Sequence, residues 1–200
     1  MFAAELAVPA VTAATGGDLH DADDDALRIA AAIGDREAFD TIVIRYGPVL
    51  YRYARRMLAD EADVADVVQD TFVAAWRQIG AFRGASSLRT WLFAICYRRI
   101  ADTHRLKRAK PVEDWVLEPL AGPNTAADPF TAASNAAFLH ALEESLSELP
   151  VRQRAVWMMR EIEQMTFPEI GEVLSLNPDA VRGQHLRATK ALRVLLRRWQ

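Results

Sequence analysis

Arg182, Gln184, His185, Arg187 and Lys190 crowd one short stretch of this 200-residue chain, and no acid follows Asp179. A helix entering the major groove needs base-reading side chains in its first turns and phosphate partners beside them. Arg182, Gln184 and His185 suit the first task; Arg187 and Lys190 suit the second. A second group interleaves Phe82, Trp91, Phe93 and Tyr97 with Arg83, Arg89, Arg98, Arg99 and Arg105. Rings among arginines suit single-stranded nucleic acid, where bases stack on the rings and cations hold phosphates. The third group is acidic: Asp63, Asp66, Gln69 and Asp70 share roughly one helical face, next to Phe72 and Trp76. Acids three and four apart repel one another mildly, so such a face is costly unless a basic partner uses it. Each group has a plainer competing reading: a charged outer face of a helix pair, rings that belong to the core, and a solvated acidic face.

Catalysis finds little support. The four histidines (His20, His104, His140, His185) lack metal-ligand spacing, and no glycine-rich phosphate cradle or nucleophile–base pair stands out. Cys96 is the single cysteine and falls on an apolar helical face, where a small buried side chain is expected rather than a reactive thiol. No metal or other cofactor is expected. No uncharged apolar run is long enough to span a bilayer. The opening residues are alanine-rich but lack the basic front of a secretion signal. The expected setting is the cytoplasm.

The elements that must position these groups read as helices throughout. A first helix over 25–33 stops at Gly34, and Asp35 caps a second whose pattern Gly47-Pro48 interrupts. Asp60 or Asp63 opens a third helix. Ser86 or Ser87 caps a fourth that carries Leu88, Trp91, Leu92, Ile95 and Ile100 to a basic end. Residues 111–133 hold four prolines and no Lys or Arg, which reads as a linker. Helicity resumes near Ser134 with Phe138, Leu139, Leu142, Leu146 and Leu149, and Pro150 precedes a helix from Val151 to about Glu163. Thr166 and Glu169 form a capping box opening a short helix to Leu174. Asn177-Pro178 opens a last helix to about Arg198, with Val181, Leu186 and Leu192 inward. These final two helices match a helix-turn-helix. The expected architecture is all-α, with two small helical domains, 25–110 and 134–200, on a flexible linker 111–133, after a disordered acidic extension 1–24.

Charge follows that division. The chain carries a formal net charge of −3, which conceals blocks of opposite sign. Residues 83–110 hold eight basic side chains against Asp102 alone, and residues 111–150 hold seven acids with no Lys or Arg. Basic blocks flanked by acidic ones point to polyanion-facing surfaces.

Three stretches together resemble bacterial RNA polymerase sigma factors of the extracytoplasmic-function group. They are YGPVLYRYARRMLADEADVADVVQDTFVAAWRQI, FRGASSLRTWLFAICYRRIADTHRLKR and LSELPVRQRAVWMMREIEQMTFPEIGEVLSLNPDAVRGQHLRATKAL. Between them they span residues 46–192, roughly three quarters of the chain, in the family's order. The resemblance implies a promoter-specificity subunit that binds core RNA polymerase, reads −10 and −35 elements and helps melt −10 DNA. It implies that Asp63, Asp66, Gln69, Asp70, Phe72 and Trp76 dock on the clamp helices of the polymerase largest subunit. It gives the −10 element to Phe82, Arg83, Gly84, Ser86, Ser87, Arg98 and Arg105, and the −35 element to Arg182, Gln184, His185, Arg187 and Lys190. Further implied partners are the polymerase flap and an anti-sigma factor. Two features depart from the family. Arg98 stands where asparagine is common, and Ala180-Val181-Arg182-Gly183-Gln184 replaces a stretch close to T-V-K-S-R. The alternative from another class is a stand-alone helix-turn-helix regulator with a sensing or dimerising N-terminal domain; a third is a purely protein-binding module.

Overall fold

The computed structural model describes residues 23–109 and 129–197, and all regular structure among them is helical. The elements are α1 (Asp24–Ala32), α2 (Arg36–Met57), α3 (Glu61–Gln78), a 3₁₀ turn (Ile79–Ala81), α4 (Leu88–Ala109), α5 (Pro129–Glu148), α6 (Val151–Trp157), a π turn (Met158–Ile162), α7 (Phe167–Leu174) and α8 (Pro178–Leu195).

Local chemistry sets most of the starts. The Asp35 side chain accepts from the Ala38 amide, Asp60 from Ala62, and Asn177 from Ala180. Each thereby satisfies one of the amides that a helix start leaves without a partner. Ser87, rather than Ser86, caps α4, its hydroxyl accepting from the Thr90 amide at 3.1 Å. The Thr166–Glu169 capping box is formed in both directions.

Four expectations need correction. Asp24 does not belong to an acidic extension: it is the first residue of α1, held by Arg45 at 2.7 Å and by the Tyr46 hydroxyl. Residues 1–22 of that extension, and 111–128 of the expected linker, lie outside the described residues. Secondly, α2 runs unbroken through Gly47-Pro48. Pro48 deprives the Ile44 carbonyl of its helical donor. Ile44 is 59% exposed, so water can take that place. Thirdly, α5 starts at Pro129, five residues before Ser134, because proline suits a first helical position. Finally, the helix after Pro150 turns from α to π geometry at Met158.

The core is continuous between the two halves. Tyr53, Leu50 and Met57 of α2 meet Leu92, Phe93 and Cys96 of α4, and Met158, Met159, Met165 and Ile170 extend the same cluster. Among the described residues, no helix is long and apolar enough to cross a membrane. Burial pushes the Cys96 thiol up to about 12, so the thiolate is a minor species near neutral pH.

Candidate functional site

The acidic face lies on α3. Asp66, Gln69 and Asp70 are exposed. Asp63 is different: Lys107 of α4 pairs with it and comes within 3.9 Å of Asp60. Phe72 is buried and edge-on to Phe39, with ring centroids 6.5 Å apart. It supports the face from beneath instead of presenting itself to a partner. Trp76 is 37% exposed and leans on the same Phe39 ring at 4.9 Å. Between α3 and α4 runs a groove of about 430 Å³, with Asp66 and Asp70 on one wall and Arg99 and Leu106 on the other.

The arginine–aromatic group divides in two. Phe93 is fully buried against Tyr53. Phe82 is half-buried and stacks on Trp91 with centroids 4.5 Å apart and planes 8° apart. Arg28 of α1, missed by sequence reasoning, lies 5.9 Å from the Phe82 ring centre and donates to the Phe82 carbonyl at 3.3 Å. It also lines the turn at Gly84, whose φ of +72° favours glycine. Arg83 and Arg98 are exposed; Arg105 pairs with Asp102 at 2.6 Å. Trp91, Arg98 and Arg105 recur every seven residues along α4, which puts them on one side. Ser86 and Ser87 close the loop, Ser87 being spent on the cap.

The helix-turn-helix is built from α7 and α8. Ser175 takes a left-handed conformation at the end of α7. A Cβ on Gly171 would lie 2.6 Å from the Leu176 carbonyl oxygen, so only glycine lets the turn close. In α8, Val181, Ala188 and Leu192 face the core. Leu186, expected inward, is 56% exposed, because Ala188 occupies the inward row one heptad after Val181. Arg182, Arg187 and Lys190 are exposed, while Gln184 is half-buried. A Cβ on Gly183 would lie 3.7 Å from the Arg187 guanidinium, an ordinary contact. Arg182 pairs with Asp179. His185 is held by Glu161, Nε2 to Oε1 at 2.7 Å, and its ring meets Phe167 edge-on at 5.6 Å.

Two polar links that the sequence did not reveal join the halves. Arg89 of α4 donates to the carbonyl and the carboxylate of Glu163, at 2.7 and 3.0 Å. Arg154 of α6, only 9% exposed, reaches the Met57 carbonyl at the end of α2 and pairs with the Ser147 carbonyl. No group of histidine, cysteine or carboxylate side chains among the described residues could hold a metal ion.

An all-helical chain with an acidic face, an arginine-flanked ring stack and a cationic helix-turn-helix has the features of a DNA-binding transcription factor. The family described as sigma-70 region 2 matches residues 42–110, and the one described as sigma-70, region 4 matches residues 139–192. RNA polymerase sigma factor CnrH of Cupriavidus metallidurans is 36% identical over 172 residues, covering 83% of this chain and 90% of the relative. ECF RNA polymerase sigma factor SigM of Mycobacterium tuberculosis is 30% identical, covering 90% of this chain and 88% of the relative. The solved structure of CnrH in complex with the cytosolic domain of CnrY is similar, with a TM-score of 0.65, 33% identity and coverage of 86% of this chain and 96% of that one. The sigma factor RpoE from Bartonella quintana, solved with the anti-sigma factor NepR, has the same fold, with a TM-score of 0.64, 19% identity and coverage of 80% and 96%. The chain belongs to the sigma-70 family of RNA polymerase sigma factors, in the extracytoplasmic-function group. It directs promoter-specific transcription initiation, which removes the reading as a stand-alone regulator.

Proposed function

We propose that three surfaces divide the work of this sigma factor. The helices from Asp24 to Ala109 form the unit that docks on core polymerase and captures melted −10 DNA. The helices from Pro129 to Leu195 form the unit that reads duplex −35 DNA. The observation that carries this division is the placement of charge: Asp66 and Asp70 stand exposed on α3, Arg98 and Arg105 on α4, and Arg182, Arg187 and Arg193 on α8. A basic partner surface fits the first, and DNA fits the other two.

On the docking face, Asp66, Gln69, Asp70 and Trp76 meet the polymerase clamp helices, with Asp63 and Phe72 holding the face in shape. At the −10 element, the Phe82–Trp91 stack offers a platform for an unstacked base. Arg83 and Arg98 hold the adjoining phosphates there, and Gly84 and Ser86 shape the loop. At the −35 element, Arg182 and Gln184 read base edges, while Arg187 and Lys190 take phosphates. His185 joins them once it leaves Glu161. The chain acts as a binding subunit rather than an enzyme, in the cytoplasm where polymerase works. Its further partners are the polymerase flap and an anti-sigma protein. The complex of its relative CnrH with the cytosolic domain of CnrY supports the last.

Photocrosslinking from positions 83 and 182 in an initiation complex tests the division. Crosslinks from 83 to the melted −10 strand and from 182 to the −35 duplex are expected. Both positions crosslinking to the same element would overturn it.

A further inference from the structure

Phe167, the first residue of α7, is where cationic side chains from two other elements meet. The Arg160 guanidinium, carried by the π turn, lies 4.9 Å from the ring centre. The Arg182 guanidinium, from the first turns of α8, lies 5.6 Å from the same centre. The His185 ring approaches at 5.6 Å with planes 67° apart. An aromatic face attracts cations through its quadrupole, whereas an aliphatic side chain of similar bulk would fill the space without holding either charge. Arg160 also donates to the Met165 carbonyl at 3.0 Å, which anchors one edge of its guanidinium and leaves other N–H groups for a ligand. The π geometry carries Arg160 out of regular α spacing, and such turns recur at functional sites.

We infer that Phe167 is a positioning residue for −35 recognition. It holds Arg182, which reads bases, and Arg160, which binds phosphate, against one ring and in one register. The inference rests on the assignment of Arg182 to base edges and adds Arg160, outside the recognition helix, as a phosphate ligand. Phosphate contacts fix where a protein sits on the duplex, and base contacts discriminate. A ring shared by both keeps the base-reading guanidinium in step with the backbone contact. Losing the ring should therefore cost sequence preference more than average affinity.

The test uses the full chain bound to core polymerase and a duplex pool randomised across the −35 segment. Phe167→Leu should keep average affinity within about twofold while preference for the best sequence falls about three- to tenfold. Phe167→Tyr should restore that preference. Arg160→Ala should weaken every duplex alike and reduce the salt slope by about one. Full preference in Phe167→Leu, or equal loss on best and average duplexes that tyrosine fails to restore, would overturn the inference. If Arg182→Ala itself left preference intact, the base-reading assignment would fail; loss in Arg182→Ala with none in Phe167→Leu would overturn the positioning role alone. Should Phe167→Leu melt below the assay temperature, the Arg160→Ala and Arg182→Ala cycle decides. Coupled losses of affinity for the best sequence support a shared ring, and independent losses refute it.

Discussion

Arg182 and Lys190 stand on the same helix with the same charge, yet their replacement should read out differently. Arg182→Ala should cost about 1–3 kcal/mol on the best −35 duplex and flatten discrimination. Lys190→Ala should weaken all duplexes similarly and lower the salt slope by about one. Binding of both variants to duplex and single-stranded probes across a salt series measures this, and neither should change binding of −10 single strands. Glu169 makes a prediction in pH. The hydroxyl and amide of Thr166 hold its carboxyl below the usual glutamate range. A lowered folded value means stability that is present above the unfolded value, about 4.3, and lost as pH falls through the folded one. Denaturation of Glu169→Gln should therefore show a deficit at neutral pH that closes on acidification. The Thr166–Glu169 pair was legible in the sequence because its partners are three residues apart. The grip of Glu161 on His185 was not, since it joins residues twenty-four apart on different elements. Leu186 misled for a related reason: helical period alone could not say whether the row of Leu186 or that of Ala188 faced inward.

At the scale of elements, α3 carries the sharpest expectation. Asp66→Lys with Asp70→Lys should weaken binding to core polymerase and leave far-ultraviolet circular dichroism unchanged, because both side chains are exposed. A pull-down retaining the wild-type amount of polymerase would mean that the docking face lies elsewhere. The turn between α7 and α8 makes a stability prediction. Gly171→Ala would drive a methyl group against the Leu176 carbonyl and should destabilise the chain by about 2 kcal/mol, read from a denaturant midpoint. The capped helix starts were anticipated because caps are local chemistry, whereas the start of α5 at Pro129 was missed. Helix continuity was not. The sequence marks Pro48 as a breaker, but an exposed Ile44 makes the missing hydrogen bond cheap. The π turn at Met158–Ile162 has no local signature; the two anchors visible in the fold are Arg89 on Glu163 and Arg160 on the Met165 carbonyl.

For the whole molecule, the sequence suggested two helical domains on a linker but not that the two halves would pack against each other, as they do. The residues responsible are scattered: Arg89 and Glu163 are seventy-four apart, and Arg154 and Met57 ninety-seven. No window of sequence could have paired them. The contact also carries a cost. Burial lowers the pKa of Arg154, and its Nε and the Tyr53 hydroxyl are buried without a protein partner. Unsatisfied buried groups of this kind cost about 1–3 kcal/mol each, set against the apolar contacts that hold the halves together. Glu163→Gln should shift that balance further. Energy transfer between dyes on α3 and α8 should fall in this variant relative to wild type, and unchanged transfer would mean that apolar contacts alone hold the halves.

Cys96 makes the chain a ready-made stopwatch. A thiol sealed in the core can meet a disulfide reagent only during the brief moments when its surroundings part. The pace of modification in native buffer therefore counts those moments. Dyes can meanwhile be attached to introduced surface cysteines in a short exposure, before the native one has had time to respond.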